Sequence, residues 1–384
     1  MVSMRVLIVP DKFKGTLTAQ AAAEAIARGW RRERPRDALE LLPMTDGGDG
    51  FGEVISQLLG ATRRIARTVD AAGRPCLAEW WWDPVSRTAV VESARVVGLA
   101  MLPAGRFHPF DLDTTGLGLV LRAAARAGAR RCMIGLGGSA TCDAGFGMAR
   151  ALGWRFLDGA GRSIERWTGL GRLKQVQKPA HSCWFAESVV AVDVQNTLLG
   201  RRGTTRIYGP QKGLRPRDFT LTERCLSALG RVVRRELGAD LTRVPGSGSA
   251  GGLGFGLHVF LGARLEPGFA LFARLASLEK RLRAADLVIT GEGTIDASSF
   301  MGKGAGEIAA RCRELRKPCY GLAGVLASPA AARRQFTQAY ALTEMASLAE
   351  AKARPGFWLV RLARGAARAG PMRMTNDEGR MTKA

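Results

Sequence analysis

Short apolar runs alternate with helix-period segments along these 384 residues, and most run-to-helix junctions are turns of Gly, Asp and Lys. Val6-Leu7-Ile8-Val9 enters Pro10-Asp11-Lys12-Phe13-Lys14-Gly15, and Leu39–Met44 enters Thr45-Asp46-Gly47-Gly48-Asp49-Gly50. Arg131–Leu136 enters Gly137-Gly138-Ser139-Ala140-Thr141, and Asp286–Thr290 leads into Gly291-Glu292-Gly293 and on to Asp296. An unbroken apolar run followed by a helix marks a strand covered on both faces, as in a parallel sheet. Such sheets present their ligand-binding loops at the carboxyl ends of the strands. The pattern therefore predicts an α/β fold with polar turns gathered at strand ends.

The first ~65 residues read as strand 5–10, helix 18–32 with Thr18 as N-cap, strand 39–44, and a helix ending near Gly60. The texture then changes to short strands (65–69, 77–82, 88–92) separated by Gly or Pro turns, which predicts antiparallel pairing. Trp80, Trp81 and Trp82 are expected as sheet core and cover. Helices are predicted at 117–127, 218–237, 250–261 and 271–284, with a buried strand at 189–194. Strand–helix alternation returns after ~285. The expected organisation is one α/β domain from residues 1–65 plus 285–375, a second α/β domain from 66–284 inserted into it, and a frayed tail at 376–384.

Composition narrows the function. No apolar stretch approaches the roughly 18 residues of a membrane span, and the apolar start is too short for a signal-peptide core, so a cytoplasmic protein is expected. Seven cysteines form no CxxC pair and there are three histidines, which predicts reduced, mostly buried thiols rather than a zinc site. The net charge of +23 comes mostly from arginines scattered through helices, such as Arg231-Val232-Val233-Arg234-Arg235, without interleaved aromatics. That reads as a solvated basic surface attractive to small anions, not as a nucleic-acid stripe.

Carboxylates and lysines on Gly-rich turns at one sheet rim point to a magnesium-bound phosphate substrate. Neither a Walker A loop nor the kinase Gly-rich loop is present, so another backbone cradle must hold the phosphates. Gly137, Gly138, Ser139 and Thr141 form one candidate, and Gly251 with Gly252 in Ser249-Ala250-Gly251-Gly252-Leu253-Gly254 another. Each also reads as a tight turn or close helix packing.

Taken in order, the segments resemble the bacterial-type glycerate kinase family. Pro10–Gly15 with Thr16-Leu17-Thr18-Ala19 resembles its opening segment, and Pro43–Gly50 its DGG loop. Gly135–Gly147, Gly209-Pro210-Gln211-Lys212-Gly213, Gly251–Gly254 and Ile289–Asp296 with Gly302-Lys303 continue the match. The chain departs from the family pattern at Cys142, Ala144, Gln195 and Thr294. The resemblance implies a flavodoxin-like parallel domain with a second α/β domain inserted and the active site in the inter-domain cleft. It implies transfer of the ATP γ-phosphoryl group to the 2-hydroxyl of D-glycerate, giving 2-phosphoglycerate and ADP, with Mg²⁺. Another small hydroxy or sugar acid as acceptor, and a non-catalytic nucleotide- or nucleic-acid-binding relative, are the alternatives. Monomer and homodimer are both open.

Within that reading Asp193, ending an apolar strand, positions or deprotonates the hydroxyl, and Lys14 holds the acid's carboxylate. Glu292 and Asp296 are expected to organise the metal, with Asp296 also catalytic. Asp11, Lys12, Asp46, Asp49, Asn196 and Lys212 are assigned to substrate contact, and Lys303 with the glycine turns to the ATP phosphates. Asp is also favoured in turns and at helix N-caps.

Overall fold

The computed structural model describes residues 3–180, 183–238, 240–300 and 304–370. The chain divides into two compact units, Met1–Asp46 with Phe272–Ala384, and Gly47–Leu271. Both divisions come earlier than the change of sequence texture at 65 and 285. Helix Phe51–Leu59 lies with the second unit, because Glu92 accepts hydrogen bonds from the Gly50 and Gly52 amides at its start (3.1 and 2.9 Å). Helix Leu278–Ala284 lies with the first, where Arg281 pairs with Glu40.

The first unit is built on β1 (Arg5–Ile8), β2 (Ala38–Leu41), β11 (Leu287–Ile295), β12 (Cys319–Leu326) and β13 (Gln338–Ala341). All pairs are parallel, in the order β13-β12-β11-β1-β2. Counted within the unit this is 2-1-3-4-5, the doubly wound flavodoxin-like order, whose direction reverses between β1 and β11. Helix Ala19–Arg31 covers one face; Thr18 accepts from the Ala21 amide at 3.1 Å, and Ala22, Ala23, Ile26 and Trp30 are buried. Trp30 also donates its indole N–H to Asp37 at 2.9 Å, satisfying its one polar atom in the core. Helix Pro355–Ala369 packs against the same helix at Gly29, where a Cβ would lie 2.2 Å from the Val360 carbonyl oxygen.

Two elements differ from the sequence reading. β11 runs on to Ile295 because its pairing with β12 continues to Leu326, so Glu292 is part of a strand rather than of the following loop. The helix expected over 271–284 is two, Gly268–Leu275 and Leu278–Ala284, broken where Ser277 takes a left-handed φ of 48°.

The second unit holds β3 (Thr62–Val69), β4 (Pro75–Asp83), β5 (Thr88–Glu92), β6 (Arg131–Gly135), β9 (Glu187–Val192) and β10 (Arg264–Pro267), in the order β10-β9-β6-β5-β4-β3. The β3–β4 and β4–β5 pairs are antiparallel, and the remaining pairs are parallel. A separate hairpin joins β7 (Arg155–Leu157) to β8 (Gln175–Gln177). Trp80, Trp81 and Trp82 are all buried. The seven cysteines are free thiols, and five of them are buried.

The Gly29 contact gives a stability test. Gly29→Ala forces a methyl into a backbone oxygen, which costs about 1–3 kcal/mol in a packed core. A lowered urea midpoint for the first unit is expected; an unchanged midpoint would show that the two helices part freely.

Candidate active site

In the first unit the ladder between strands continues past their ends. Val9 donates to Ile289 O (2.7 Å), Asp11 to Gly291 O (2.8 Å), and Met44 to Pro10 O (3.0 Å). This fixes Asp11 beside the Glu292 segment and the Asp46 turn beside Asp11, at the carboxyl ends of β11, β1 and β2. The point where strand order reverses is where open α/β sheets take their ligands.

Burial and mutual repulsion act on the carboxylates there. Asp11 is buried and its pKa is raised to about 7, by burial first and then by the Asp46 charge, against the opposing pull of Lys12. Glu292 is likewise raised to about 7 by burial, a Ser299 hydrogen bond pulling it back while Asp11, Asp296 and Asp46 push it further up. The Lys12 ammonium lies 3.2 Å from Asp46 Oδ1 and 3.8 Å from Asp11 Oδ1, as a counter-ion within the cluster. Lys14 is exposed, and its amide nitrogen lies close to Gly293, 3.1 Å from the position a Cβ there would take. Glu292 Oε1 is buried without a hydrogen-bond partner.

That orphaned oxygen tests the fit of a divalent ion. Among the described residues no three His, Cys, Asp or Glu side chains form a group that could hold a metal alone. Mg²⁺ does not need one: it keeps several waters and takes one or two carboxylates plus substrate phosphates. Glu292, with Asp296 on the same segment, fits that donor set. Gly302 and Lys303, assigned to the ATP phosphates, lie outside the described residues.

In the second unit the glycine turn after β6 is packed against the Asp49 loop. A Cβ at Gly137 would be 2.8 Å from Gly48 Cα, and one at Gly138, whose φ is 56°, would be 2.9 Å from Asp49 Oδ1. Only glycine permits that approach. The turn does not lead directly into a helix, which starts at Phe146. Its start is closed from within: buried Asp143 accepts from the Gly145 and Gly147 amides and from both N and Oγ1 of Thr114, at 2.7–3.2 Å. Burial and the Asp113 charge push Asp143 up to about 6 while those donors pull it back. The sequence reading did not single out Asp143, although it lies within the Gly135–Gly147 run.

Lys212 is buried and donates to Thr141 O at 2.7 Å; burial lowers its pKa. Gly251 (φ 76°) seals the same spot, since a Cβ there would be 1.8 Å from Thr141 O and 2.7 Å from Lys212 Nζ. Ala250, Gly251 and Gly252 are all left-handed inside the segment expected as regular helix, so the turn faces the 141–144 loop. Ala144, where the family pattern has Gly, is itself left-handed at φ 52°. Ser139 and Thr141 hydroxyls lie 3.0 Å apart.

Helix Thr204–Lys212 carries Tyr208 one turn before Lys212. Tyr208 is raised to about 12, by burial and then by the Asp193 charge, and donates to Asn196 Oδ1 at 2.7 Å. Asn196 in turn donates to Arg202 O at 2.8 Å. Thus Asp193, Asn196, Tyr208, Lys212, Thr141 and Gly251 share one neighbourhood. Thr204, Thr205 and Ser249 each bury a hydroxyl with no partner, which fits a site that takes a polar ligand. Tyr208 was missed in the sequence; its place directly before Gly209-Pro210-Gln211-Lys212-Gly213 was the available signal.

The comparisons with known proteins follow the same lines. The family model described as the glycerate kinase family matches residues 6–370. A glycerate kinase of Halalkalibacterium halodurans is 36% identical over 326 residues, 84% of this chain and 85% of the relative. A glycerate 2-kinase of Escherichia coli is 35% identical over 326 residues, 84% of this chain and 86% of its own. The crystal structure of a Salmonella typhimurium protein named as a candidate glycerate kinase 2 superposes with a TM-score of 0.82 at 31% identity, covering 96% of this chain and 98% of that one. The chain belongs to the glycerate kinase family and is an ATP-dependent kinase.

Proposed function

We propose that this enzyme transfers the γ-phosphoryl group of ATP to the 2-hydroxyl of D-glycerate, giving 2-phosphoglycerate and ADP. The observation that carries the reading is the unpartnered, buried Glu292 Oε1 among Asp11, Asp46 and Asp296 at the switch point of the first sheet. Phosphoryl transfer depends mainly on position and charge neutralisation, and such a cluster supplies a seat for the cation that accompanies ATP. Mg²⁺, held by Glu292 and Asp296, would offset the phosphate charge. Lys12, 3.2 Å from Asp46 and 3.8 Å from Asp11, offsets part of the carboxylate charge.

The chain's own residues do the rest. Asp193, half-buried and near Tyr208, accepts the proton of the 2-hydroxyl as that oxygen bonds to the γ-phosphorus and the bond to the ADP oxygen breaks. Tyr208, kept protonated, and Asn196 fix the orientation of that segment. The exposed Lys14 ammonium pairs with the glycerate carboxylate. The glycine turns at 137–138 and 251–252, with Ser139, Thr141 and Lys212, are the proposed phosphate cradle; Asp49 backs that turn. A cytoplasmic location accompanies this reading, and no helix among the described residues is long and apolar enough to cross a membrane.

ADP release with D-glycerate, followed by phosphorus NMR of the product, checks the reaction. An ester at the 2-oxygen is expected; faster turnover of another hydroxy acid, or an ester at the 3-oxygen, would overturn the acceptor assignment. Asp193→Asn should lower kcat about 10²–10⁴-fold, as loss of a general base does. Full activity would remove Asp193 from that role.

The acid cluster makes a separate prediction without turnover. Asp11 and Glu292 titrate near 7 in the fold but near 3.8 and 4.5 unfolded. Below the unfolded values both states are protonated and nothing is lost. Between there and about pH 7 the folded chain holds the extra protons, so stability falls as pH rises and levels off above 7. The melting temperature without divalent ions should drop between pH 5 and 8, and less steeply in Glu292→Gln. Parallel profiles would show that Glu292 is not strained by its neighbours.

A further inference from the structure

Five arginines that the sequence scatters over forty-odd positions line one cavity of about 690 Å³ in the second unit. Ser227, Gly230, Arg231 and Arg234 stand at i, i+3, i+4 and i+7 on helix Pro216–Leu237 and form one wall. Arg201 and Arg202 come from the loop before helix Thr204–Lys212, and Arg243 from the turn Leu241–Arg243. The loops are tied together where Leu198 N donates to Thr242 O at 3.1 Å.

Asp240 is the only carboxylate in the lining, and it is already engaged by the Thr242 hydroxyl at 2.5 Å and by Arg243 at 3.6 Å. Among the described residues Arg201, Arg202 and Arg231 form no salt bridge, and Arg234 shares the charge of Asp240 with Arg243. Five guanidinium groups against one acid repel one another across a concavity in the size range of small-ligand sites. A solvated basic surface would spread such charges; a concave ring of them focuses positive potential on one volume. Planar guanidinium forks suit phosphate and carboxylate oxygens taken two at a time.

We propose that this cavity is a binding site for a small organic polyanion carrying two or more phosphate or carboxylate groups, separate from the ATP and acceptor sites. The inference does not depend on which acid the kinase phosphorylates. Its position also couples it to the chemistry: Arg202 O is held by Asn196, whose Oδ1 receives the Tyr208 hydroxyl next to Asp193. An anion drawn onto Arg201 and Arg202 therefore bears on the same loop.

The test is calorimetric titration of the full chain with inorganic tripolyphosphate at about 0.15 M salt, where screening acts beyond about 8 Å. The titration is run with saturating ADP present to occupy the nucleotide site. Saturable binding is expected, weakened about tenfold or more in R231A/R234A, with the KM for ATP and the melting temperature unchanged. R231K/R234K should recover part of the affinity, because charge returns without the fork. R31A/R32A, which removes two exposed arginines of the first unit, should bind as the wild type. The proposal is overturned if R231A/R234A binds equally well, if R31A/R32A loses as much, or if ADP displaces the tripolyphosphate. A rise in KM for ATP in step with the lost binding would also overturn it, by making the cavity the reaction's own phosphate site.

Discussion

Parallel pairing of β11, β1 and β2 brings acids together, and the chemistry proposed for this chain depends on that constraint. The ladder bonds that carry Asp11 onto Gly291 and Met44 onto Pro10 extend the sheet beyond its last apolar residues. They thereby hold Asp11, Asp46 and Glu292 within electrostatic reach in a partly desolvated place. Left to themselves, carboxylates in such surroundings keep protons at neutral pH. One lysine, Lys12, offsets part of the charge. The crowding shows as raised pKa values and a Glu292 oxygen without a partner, and a bound cation would relieve both.

The second unit solves a different problem. Its turns hold backbone close to backbone through glycines at positive φ, with buried Lys212 pinned to Thr141 O rather than to an acid. Asp143 spends its hydrogen-bonding capacity on the local amides and on Thr114, which makes it a scaffold for the 141–147 loop rather than a group free to meet substrate. Asp193 lies close enough to Tyr208 for its charge to help keep that phenol protonated. The switch point of the first sheet thus gathers acids, while the turns around Thr141 gather a lysine and hydroxyls.

Much of this was legible from residue order. Apolar runs at 5–10, 131–136 and 189–194 mark buried strands because they are short and followed by polar turns. The acids of the first cluster were legible because Asp11, Asp46 and Glu292 each follow or end such a run. The end of β11 was not, since Gly291 and Gly293 read as a turn while their pairing with β12 holds them extended. The break at Ser277 was hidden for the converse reason: nothing in a serine announces a left-handed residue, and tertiary packing imposes it. The arginine cavity escaped because it depends on segments far apart in the chain, and a pattern within one segment cannot report which distant segment faces it.

The central claim is that Glu292 and its neighbours form a cation seat. It is tested most directly by titrating Mn²⁺ into the wild-type chain and into Glu292→Gln, following water-proton relaxation with and without ADP. The account predicts a saturable enhancement in the wild type, strengthened by ADP and lost or greatly weakened in the variant. Equal enhancement in both proteins would contradict it.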